Sequence, residues 1–213
     1  MCAVARGARS KNGSKRIQLT PFCPLGVEWR GTKSLKTLVR AEAPMEGREV
    51  FVGQTAYVGL YVNELLIRLL VEGDPHEGLY DRYTTLLLML PGTDDLEPLL
   101  RVFELALLED IGYGLTLDTD HVSGAPVRSE SWYQLVPGDG LIETSADEVL
   151  DSRSLFPGAH LLAMAESDYR SEEVKRSAKL LLRCALSAHL GKRPLRSREL
   201  FGKYSVDTAR HSQ

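Results

Sequence analysis

The chain has 213 residues, of which 43% are hydrophobic and 26% charged. This balance is typical of a folded globular protein and excludes wholesale disorder. The three cysteines, Cys2, Cys23 and Cys184, lie far apart in the sequence, which argues against a disulfide framework. No apolar run approaches the roughly 18 residues of a membrane span. We therefore expect a cytoplasmic protein.

The net charge of −3 conceals a strong asymmetry along the chain. Residues 1–40 carry nine Lys and Arg against one acid, and residues 41–170 carry seven against 24 acids. Residues 171–213 return to a basic excess, with ten Lys and Arg against four acids. Two basic ends around an acidic middle indicate a polyanion or a charged protein as the binding partner.

The first part of the chain has the pattern of a small β module. Short apolar or alternating segments over 17–22, 25–29 and 35–39 are bounded by proline and glycine, which predicts strands. Three or four short strands over about 45 residues make a poor independent core. We expect either that these strands pack on the rest of the chain, or that part of the module is missing.

From about residue 53 the apolar period changes from two to 3.6, which predicts helices. The first spans about 53–70 and the second about 76–90. A third begins at Asp94 or Asp95 and continues through Ile111, and a long one spans about 171–190. Residues 115–145, punctuated by glycine and proline, predict a small hairpin or knuckle. The sequence predicts an α+β chain.

Motifs for catalysis and metal binding are missing from the sequence. It has no GxxxxGK[ST] phosphate loop, no HExxH motif and no GxSxG elbow. The five histidines show no metal-ligand spacing, and paired acids such as Glu172 and Glu173 suit the positive N-terminus of a helix. We predict no catalytic residue, no metal and no cofactor.

Two clusters of cations are candidate DNA-binding sites, because cations neutralise phosphates and release counterions. The first lies in a loop of small residues and extends along the neighbouring strands, where Phe22 and Trp29 could stack on bases. The alternatives are a solubilising loop for the first cluster and a solvated helix start for the second. The candidate residues are Arg6, Arg9, Lys11, Lys15, Arg16, Lys33, Lys36 and Arg40 in the first cluster, and Arg193, Arg196 and Arg198 in the second.

The predicted third helix carries a further candidate site. Leu100, Phe103 and Leu107 form its apolar side by period, and Arg101 lies at the border of that side. There its guanidinium could receive a carboxylate from a partner. An internal ion pair with Glu104 is the alternative, and the sequence leaves the two open.

Several segments together resemble the RecO family of DNA recombination and repair mediators. They occur in the family's order and cover nearly the whole chain. The segments are Gly7-Ala8-Arg9-Ser10, Gly59-Leu60-Tyr61-Val62-Asn63-Glu64-Leu65-Leu66, Leu100-Arg101-Val102-Phe103-Glu104-Leu105-Ala106-Leu107-Leu108, Gly112-Tyr113-Gly114 and Leu195-Arg196-Ser197-Arg198-Glu199-Leu200.

The resemblance implies a fold and a function. It implies an N-terminal oligonucleotide-binding (OB) barrel, here partial at 1–48, and a helical domain at 49–213. It implies binding to single- and double-stranded DNA, annealing of complementary strands, and cooperation with RecR in loading RecA onto DNA coated by single-strand-binding protein. It also implies contact with the acidic C-terminal tail of that protein, for which Leu100, Arg101, Phe103 and Leu107 are the candidates. It implies no enzymatic activity, and a cytoplasmic, nucleoid-associated location.

The chain departs from the family pattern in two places. Many members carry a four-cysteine zinc knuckle in the stretch that matches 117–145, whereas this chain has Asp120, His121 and Ser123 at the first pair, so we predict no zinc. The Gly-Ala-Arg motif follows only six residues here, where about thirty more normally begin the five-stranded barrel. The alternative function is therefore a protein-interaction module whose truncated barrel no longer binds DNA.

Overall fold

The structure is a computed structural model that describes residues 2–5, 19, 21–32, 35–42, 50–136, 138–144 and 155–197. Within these ranges the chain forms five α-helices, one short 3-10 helix and two three-stranded sheets. The α+β composition predicted from the sequence is therefore confirmed. No helix in these ranges has both the length and the apolar character needed to cross a membrane.

The first sheet is built from the N-terminal part of the chain. Its strands are β1 (Cys2–Val4), β2 (Gly26–Arg30) and β3 (Leu35–Glu42), in the order β1-β3-β2. β1 runs parallel to β3, and β2 runs antiparallel to it. The strands predicted at 25–29 and 35–39 are confirmed. The strand predicted at 17–22 is wrong where it is described, because residues 19, 21 and 22 form turns, and residues 17, 18 and 20 lie outside the described residues. The described strands form an open sheet and no closed barrel, so the OB barrel stays a proposal.

An aromatic contact joins this N-terminal part to the first helix, α1 (Gly53–Leu69). The ring of Phe22 stacks on Phe51, with 4.9 Å between the ring centroids. The same ring lies over Gly59, where an added Cβ would come within 2.6 Å of it. A side chain at position 59 would displace the ring, so the glycine allows the contact. The N-terminal part therefore contacts the helical part at Phe22, whereas every residue of β1 and β2 is exposed. Packing of the strands on the helical part stays a prediction.

The remaining predicted helices are present, with bounds close to those expected. They are α2 (Glu77–Met89), which continues into the 3-10 helix Leu90–Gly92, α3 (Leu96–Asp110) and α5 (Glu172–Leu190). Asp95 and Ser171 cap α3 and α5, each accepting a hydrogen bond from a backbone N–H in the first turn. Gly191 ends α5 with a φ of 66°, a conformation that favours glycine.

Among the described residues, α1, α3 and α5 meet in a hydrophobic core that also includes side chains from α2 and from residues 117–164. In α3 most of the middle residues are buried. Burial of such large apolar side chains contributes about 1.5–3 kcal/mol each to stability. The fully buried side chains include Val62 and Leu65 from α1, Leu107 and Leu108 from α3, and Leu181, Leu182 and Leu186 from α5.

The second sheet lies between α3 and α5 in the chain. It contains β4 (Trp132–Val136), β5 (Gly140–Thr144) and β6 (Leu155–Pro157), with β4 in the middle. β4 and β5 form an antiparallel hairpin, which confirms the one predicted within 115–145. β6 leads directly into α4 (Gly158–Ala165). The sequence analysis assigned no element to the segment from β6 to α4.

Gly158 fixes α4 against the loop that precedes β4. Its N–H donates to the carbonyl of Ser131 at 2.8 Å, and the next N–H, of Ala159, donates to Ser129 at 3.1 Å. An added Cβ on Gly158 would lie 1.9 Å from the carbonyl oxygen of Arg128, which is a backbone atom. This approach leaves no room for a side chain.

We expect Gly158→Ala to lower the free energy of unfolding by about 3 kcal/mol, because the backbone of the loop must move. Urea denaturation followed by circular dichroism measures the change. Gly78→Ala in α2 is the matched control, since nothing lies within 4 Å of the added Cβ there. The control should be neutral or stabilise the protein by up to about 1 kcal/mol. Equal effects of the two changes would contradict the close approach.

Candidate functional site

A groove opens on the surface between α1, α3 and α5, with a volume of about 520 Å³. Each of the three helices contributes residues to it, so its shape follows from their packing. Apolar side chains and cations lie side by side in its lining, together with the two acids Glu97 and Glu104. The apolar residues are Val58, Leu96, Leu100 and Leu180, and the cations are Arg101, Lys179 and Arg183.

A buried cluster of charged and polar groups forms one wall of this groove. Arg101 is 6% exposed and Glu104 is 1% exposed. Arg101 Nη1 lies 2.5 Å from Glu104 Oε2, and the Tyr61 hydroxyl donates to Glu104 Oε1 at 2.5 Å. The internal ion pair that the sequence left open is therefore formed. Arg101 also lines the groove, and no acceptor among the described residues pairs with its buried Nε–H.

Two further cations reach the groove from α5. Lys179 Nζ lies 3.0 Å from Glu97 Oε1, an ion pair that joins α5 to the start of α3. Arg183 is exposed, and no acid within the described part of the chain pairs with it. Neither residue is among the candidates predicted from the sequence. Their spacing of one helical turn on α5 was the available sign that they share a face.

A second pair of charges fixes α5 against α3. Lys175 Nζ lies 2.5 Å from Asp95 Oδ2 and 2.8 Å from Glu172 Oε1. Hydrogen bonds to Asp95 and then to Glu172 raise the pKa of Lys175 above its ordinary value. Because Asp95 also caps α3, this contact places the beginnings of α3 and α5 next to each other beside the groove.

The four residues predicted to bind a partner tail do not share one surface. Leu100 and Arg101 line the groove described above. Phe103 lines a different groove of about 340 Å³ between α2 and α3, together with Leu99 and Val102 on its own helix. Leu107 is fully buried in the core. The role of these residues stays a prediction, and the geometry favours the first two.

The predicted DNA-binding residues lie mostly outside the described part of the chain. Within it, Lys36 is half-buried, and Arg40 lies 2.5 Å from Glu42 and 4.0 Å from Glu28. Arg40 is thus shared between two acids, which leaves it less available to phosphates. Arg193 and Arg196 are exposed. The predictions outside the described residues are Arg6, Arg9, Lys11, Lys15, Arg16, Lys33 and Arg198.

α1 anchors the segment that carries Arg193 and Arg196. Arg68 donates to the backbone carbonyls of Leu190, Arg193 and Pro194. Glu64 accepts hydrogen bonds from the N–H of Arg196 at 2.9 Å and from the N–H and hydroxyl of Ser197 at 2.8 and 2.7 Å.

These contacts set the ionisation of Glu64 and the position of the cations. Burial raises the pKa of Glu64, but the hydrogen bonds from Ser197 and Arg196 and the charge of Arg68 outweigh it, so the pKa lies below its ordinary value. Glu64 is therefore charged at neutral pH. The side chains of Lys192, Arg193 and Arg196 extend into solvent from a backbone that is held at several points.

The stretch expected to correspond to a zinc knuckle is held together by a carboxylate. Asp120 is 4% exposed. Its Oδ1 accepts hydrogen bonds from the N–H and hydroxyl of Ser123, and its Oδ2 accepts one from the N–H of Glu143, all at 2.6 Å. The Ser123 bonds are the main cause of a pKa below the ordinary value for Asp120. Among the described residues no group of three or more His, Cys, Asp or Glu side chains could hold a metal.

Comparison with known proteins places the chain among relatives. Residues 52–199 match the family model described as Recombination protein O C terminal. A protein named DNA repair protein RecO from Pseudomonas paraeruginosa is 45% identical over 199 residues, which are 93% of this chain and 82% of that protein. Proteins of the same name from Stutzerimonas stutzeri and Marinobacter nauticus are 45% and 39% identical, over 93% and 100% of this chain and 80% and 86% of their own lengths.

We expect Arg101→Ala to lower the free energy of unfolding by about 3–5 kcal/mol, because Glu104 would remain buried without its cation. The double variant Arg101→Met with Glu104→Gln removes the orphaned charge and leaves an acceptor for Tyr61. It should recover to within about 1.5 kcal/mol of the original chain. Urea denaturation measures both. Equal losses of unfolding free energy in the single and double variants would contradict the view that buried Glu104 needs Arg101 as its cation.

Proposed function

The chain belongs to the RecO family, and on this premise we propose that it is a mediator of DNA repair and recombination rather than an enzyme. In the proposed role it binds single- and double-stranded DNA and anneals complementary strands. It then cooperates with RecR to load the RecA recombinase onto DNA coated by single-strand-binding protein. We place this activity in the cytoplasm, at the nucleoid.

The observation that carries the proposal is the groove between α1, α3 and α5. An acidic tail that ends in an apolar residue requires an apolar slot beside cations that receive its carboxylates. The groove combines Leu100 and Leu180 with Arg101 and Arg183. Because residues 41–170 carry a large acidic excess, long-range attraction does not favour an acidic partner there. Arg183, which has no acid partner within the described residues, supplies a local attraction instead, because Arg101 and Lys179 are paired with Glu104 and Glu97.

Support for DNA binding comes from the basic ends of the chain. The first 40 residues hold nine Lys and Arg against one acid, and the proposed partial OB barrel would present them along a strand of DNA. At the other end, Arg193 and Arg196 project from the segment that α1 anchors. Both sites would bind DNA of any base sequence, since cations contact phosphates rather than base edges.

One observation favours the second candidate function, a protein-interaction module without DNA binding. Arg40, the exposed cation of β3 among the predicted DNA contacts, is paired with Glu28 and Glu42. The first sheet is also open within the described residues. Salt-dependent DNA binding separates the two functions, because only the mediator requires it.

For the tail site, we expect Arg183→Ala to weaken binding of the C-terminal tail peptide of single-strand-binding protein about tenfold, by loss of one charged hydrogen bond. Arg183 is suited to this test because it is exposed and unpaired within the described residues, so its loss spares the fold. Titration calorimetry measures the affinity.

Arg176→Ala is the matched control, an exposed arginine two turns earlier on α5 that does not line the groove. It should leave the affinity unchanged. A peptide with an amidated C-terminus should bind the original chain more weakly. Equal affinities for the Arg183 and Arg176 variants would remove Arg183 from the site.

For the DNA site, we expect the first cluster to contribute about −3.5 to the slope of the logarithm of single-strand affinity against the logarithm of salt, if about five of its cations touch phosphates. Changing Arg9, Lys11, Lys15 and Arg16 to Ala should flatten that slope by about 2.8. Fluorescence anisotropy at several salt concentrations measures it. An unchanged slope would move the site to Arg193, Arg196 and Arg198, and absence of binding would favour the interaction module.

A further inference from the structure

An exposed aromatic pair lies where α3 ends and α5 ends. Tyr113, in the Gly112-Tyr113-Gly114 turn after α3, stacks on His189 in the last turn of α5. Their ring centroids are 3.8 Å apart, with 30° between the ring planes. Tyr113 is nevertheless 53% exposed, so much of its ring surface is open to solvent. None of the functions proposed above uses this pair.

A small cavity of about 180 Å³ adjoins the pair. Four glycines, which have no side chains to fill the space, line it in the 112–114 turn and in the 138–140 turn of the β4–β5 hairpin. The ring of His121 also lines the cavity. A Cβ at Gly140, whose φ is 89°, would lie 3.4 Å from His121 Nδ1 and would pack against this ring. The hydroxyl residues Thr116 and Thr119 also line it. A flat ring with polar edges suits such a space.

Cations follow directly after the aromatic pair. Lys192 and Arg193 come three and four residues after His189, are exposed, and have no acid partner within the described ranges. Arg68 holds the backbone here, through the carbonyls of Leu190 and Arg193. Asp139, the acid in the cavity lining, lies on the hairpin side. The cations therefore lie on the opposite side, at the end of α5.

We propose that Tyr113, supported by His189, is a stacking platform for an unpaired base of single-stranded DNA whose phosphates contact Lys192 and Arg193. Aromatic stacking beside cations is how proteins hold single strands without reading their sequence. A duplex has no free base face to offer, so the platform distinguishes single strands from duplexes. This inference rests on the proposed function and adds a site in the helical part of the chain.

The test measures binding of a fluorescein-labelled oligo(dT) strand by anisotropy. Tyr113→Ala should weaken single-strand binding about tenfold, whereas Tyr113→Phe, which keeps the ring, should match the original chain. Tyr80→Ala is the matched control, because Tyr80 is an exposed tyrosine on α2, 61% exposed and away from the cavity. It should have no effect. Tyr113→Leu keeps an apolar side chain without a π face and should behave like Tyr113→Ala.

Two further measurements identify the interaction as stacking. The loss on Tyr113→Ala should be absent with a duplex and with an abasic strand of equal length, since neither offers a free base. The slope of affinity against salt should be unchanged by Tyr113→Ala, and should flatten by about 1.4 when Lys192 and Arg193 are both changed to Ala.

The outcomes separate this inference from the proposed function. If the original chain binds no DNA, both fail. If it binds DNA with a salt-dependent affinity that folded Tyr113→Ala and Tyr113→Leu leave unchanged, the platform alone is overturned. A loss that is equal for single strand, duplex and abasic strand would likewise overturn stacking. Thermal melts of each variant verify that it is folded, and Tyr113→Leu provides the measurement should Tyr113→Ala unfold.

Discussion

A buried carboxylate between two helices is the constraint from which the helical part of the structure follows. An isolated charge such as that of Glu104 costs several kcal/mol to remove from water, so it must be paired and hydrogen-bonded. Arg101 on the same helix and Tyr61 on α1 supply the donors. Because the tyrosine reaches across from α1, satisfying Glu104 sets the position of α1 against α3. The groove between them takes its shape from this contact.

Asp120, next to the second sheet, is another buried carboxylate whose hydrogen bonds join separate parts of the chain. Asp120 accepts hydrogen bonds from Ser123 and Glu143, which lie 20 positions apart in the sequence. Here one carboxylate with well-placed donors joins them. Since its pKa is lowered in the folded chain, its stabilisation is present above the ordinary pKa of aspartate and is lost as the pH falls through the lowered value.

The sequence predicts the helices well and their mutual contacts poorly. α1, α2, α3 and α5 each carry an apolar period of 3.6 and recognisable ends, such as Asp95 and Gly191, and these are local features. The contacts of Glu104 with Tyr61 and of Glu64 with Ser197 join residues 43 and 133 positions apart. No local pattern reveals such pairs. The Arg101–Glu104 pair was open to prediction because three residues on one helix separate its members.

The candidate site likewise contains residues that the sequence reveals and residues that only packing places there. Leu100 and Arg101 could be selected from the period of α3, but Arg183 enters the groove only through the packing of α5. Phe103 belongs to the same apolar stripe, yet helical geometry turns it toward α2 and a different groove. A stripe that is wide enough to contact several helices does not indicate which part of it remains open. Packing decides this, and packing is a property of the whole chain.

α5 carries residues of both proposed sites. Leu180 and Arg183 face the groove beside α3, whereas Ala185, Ala188 and His189 face the cavity beside Tyr113. A helix turns by about 100° per residue, so Arg183 and Ala188 project in clearly different directions. An acidic peptide in the groove and a nucleic-acid base at the platform would therefore contact different sides of one rigid element.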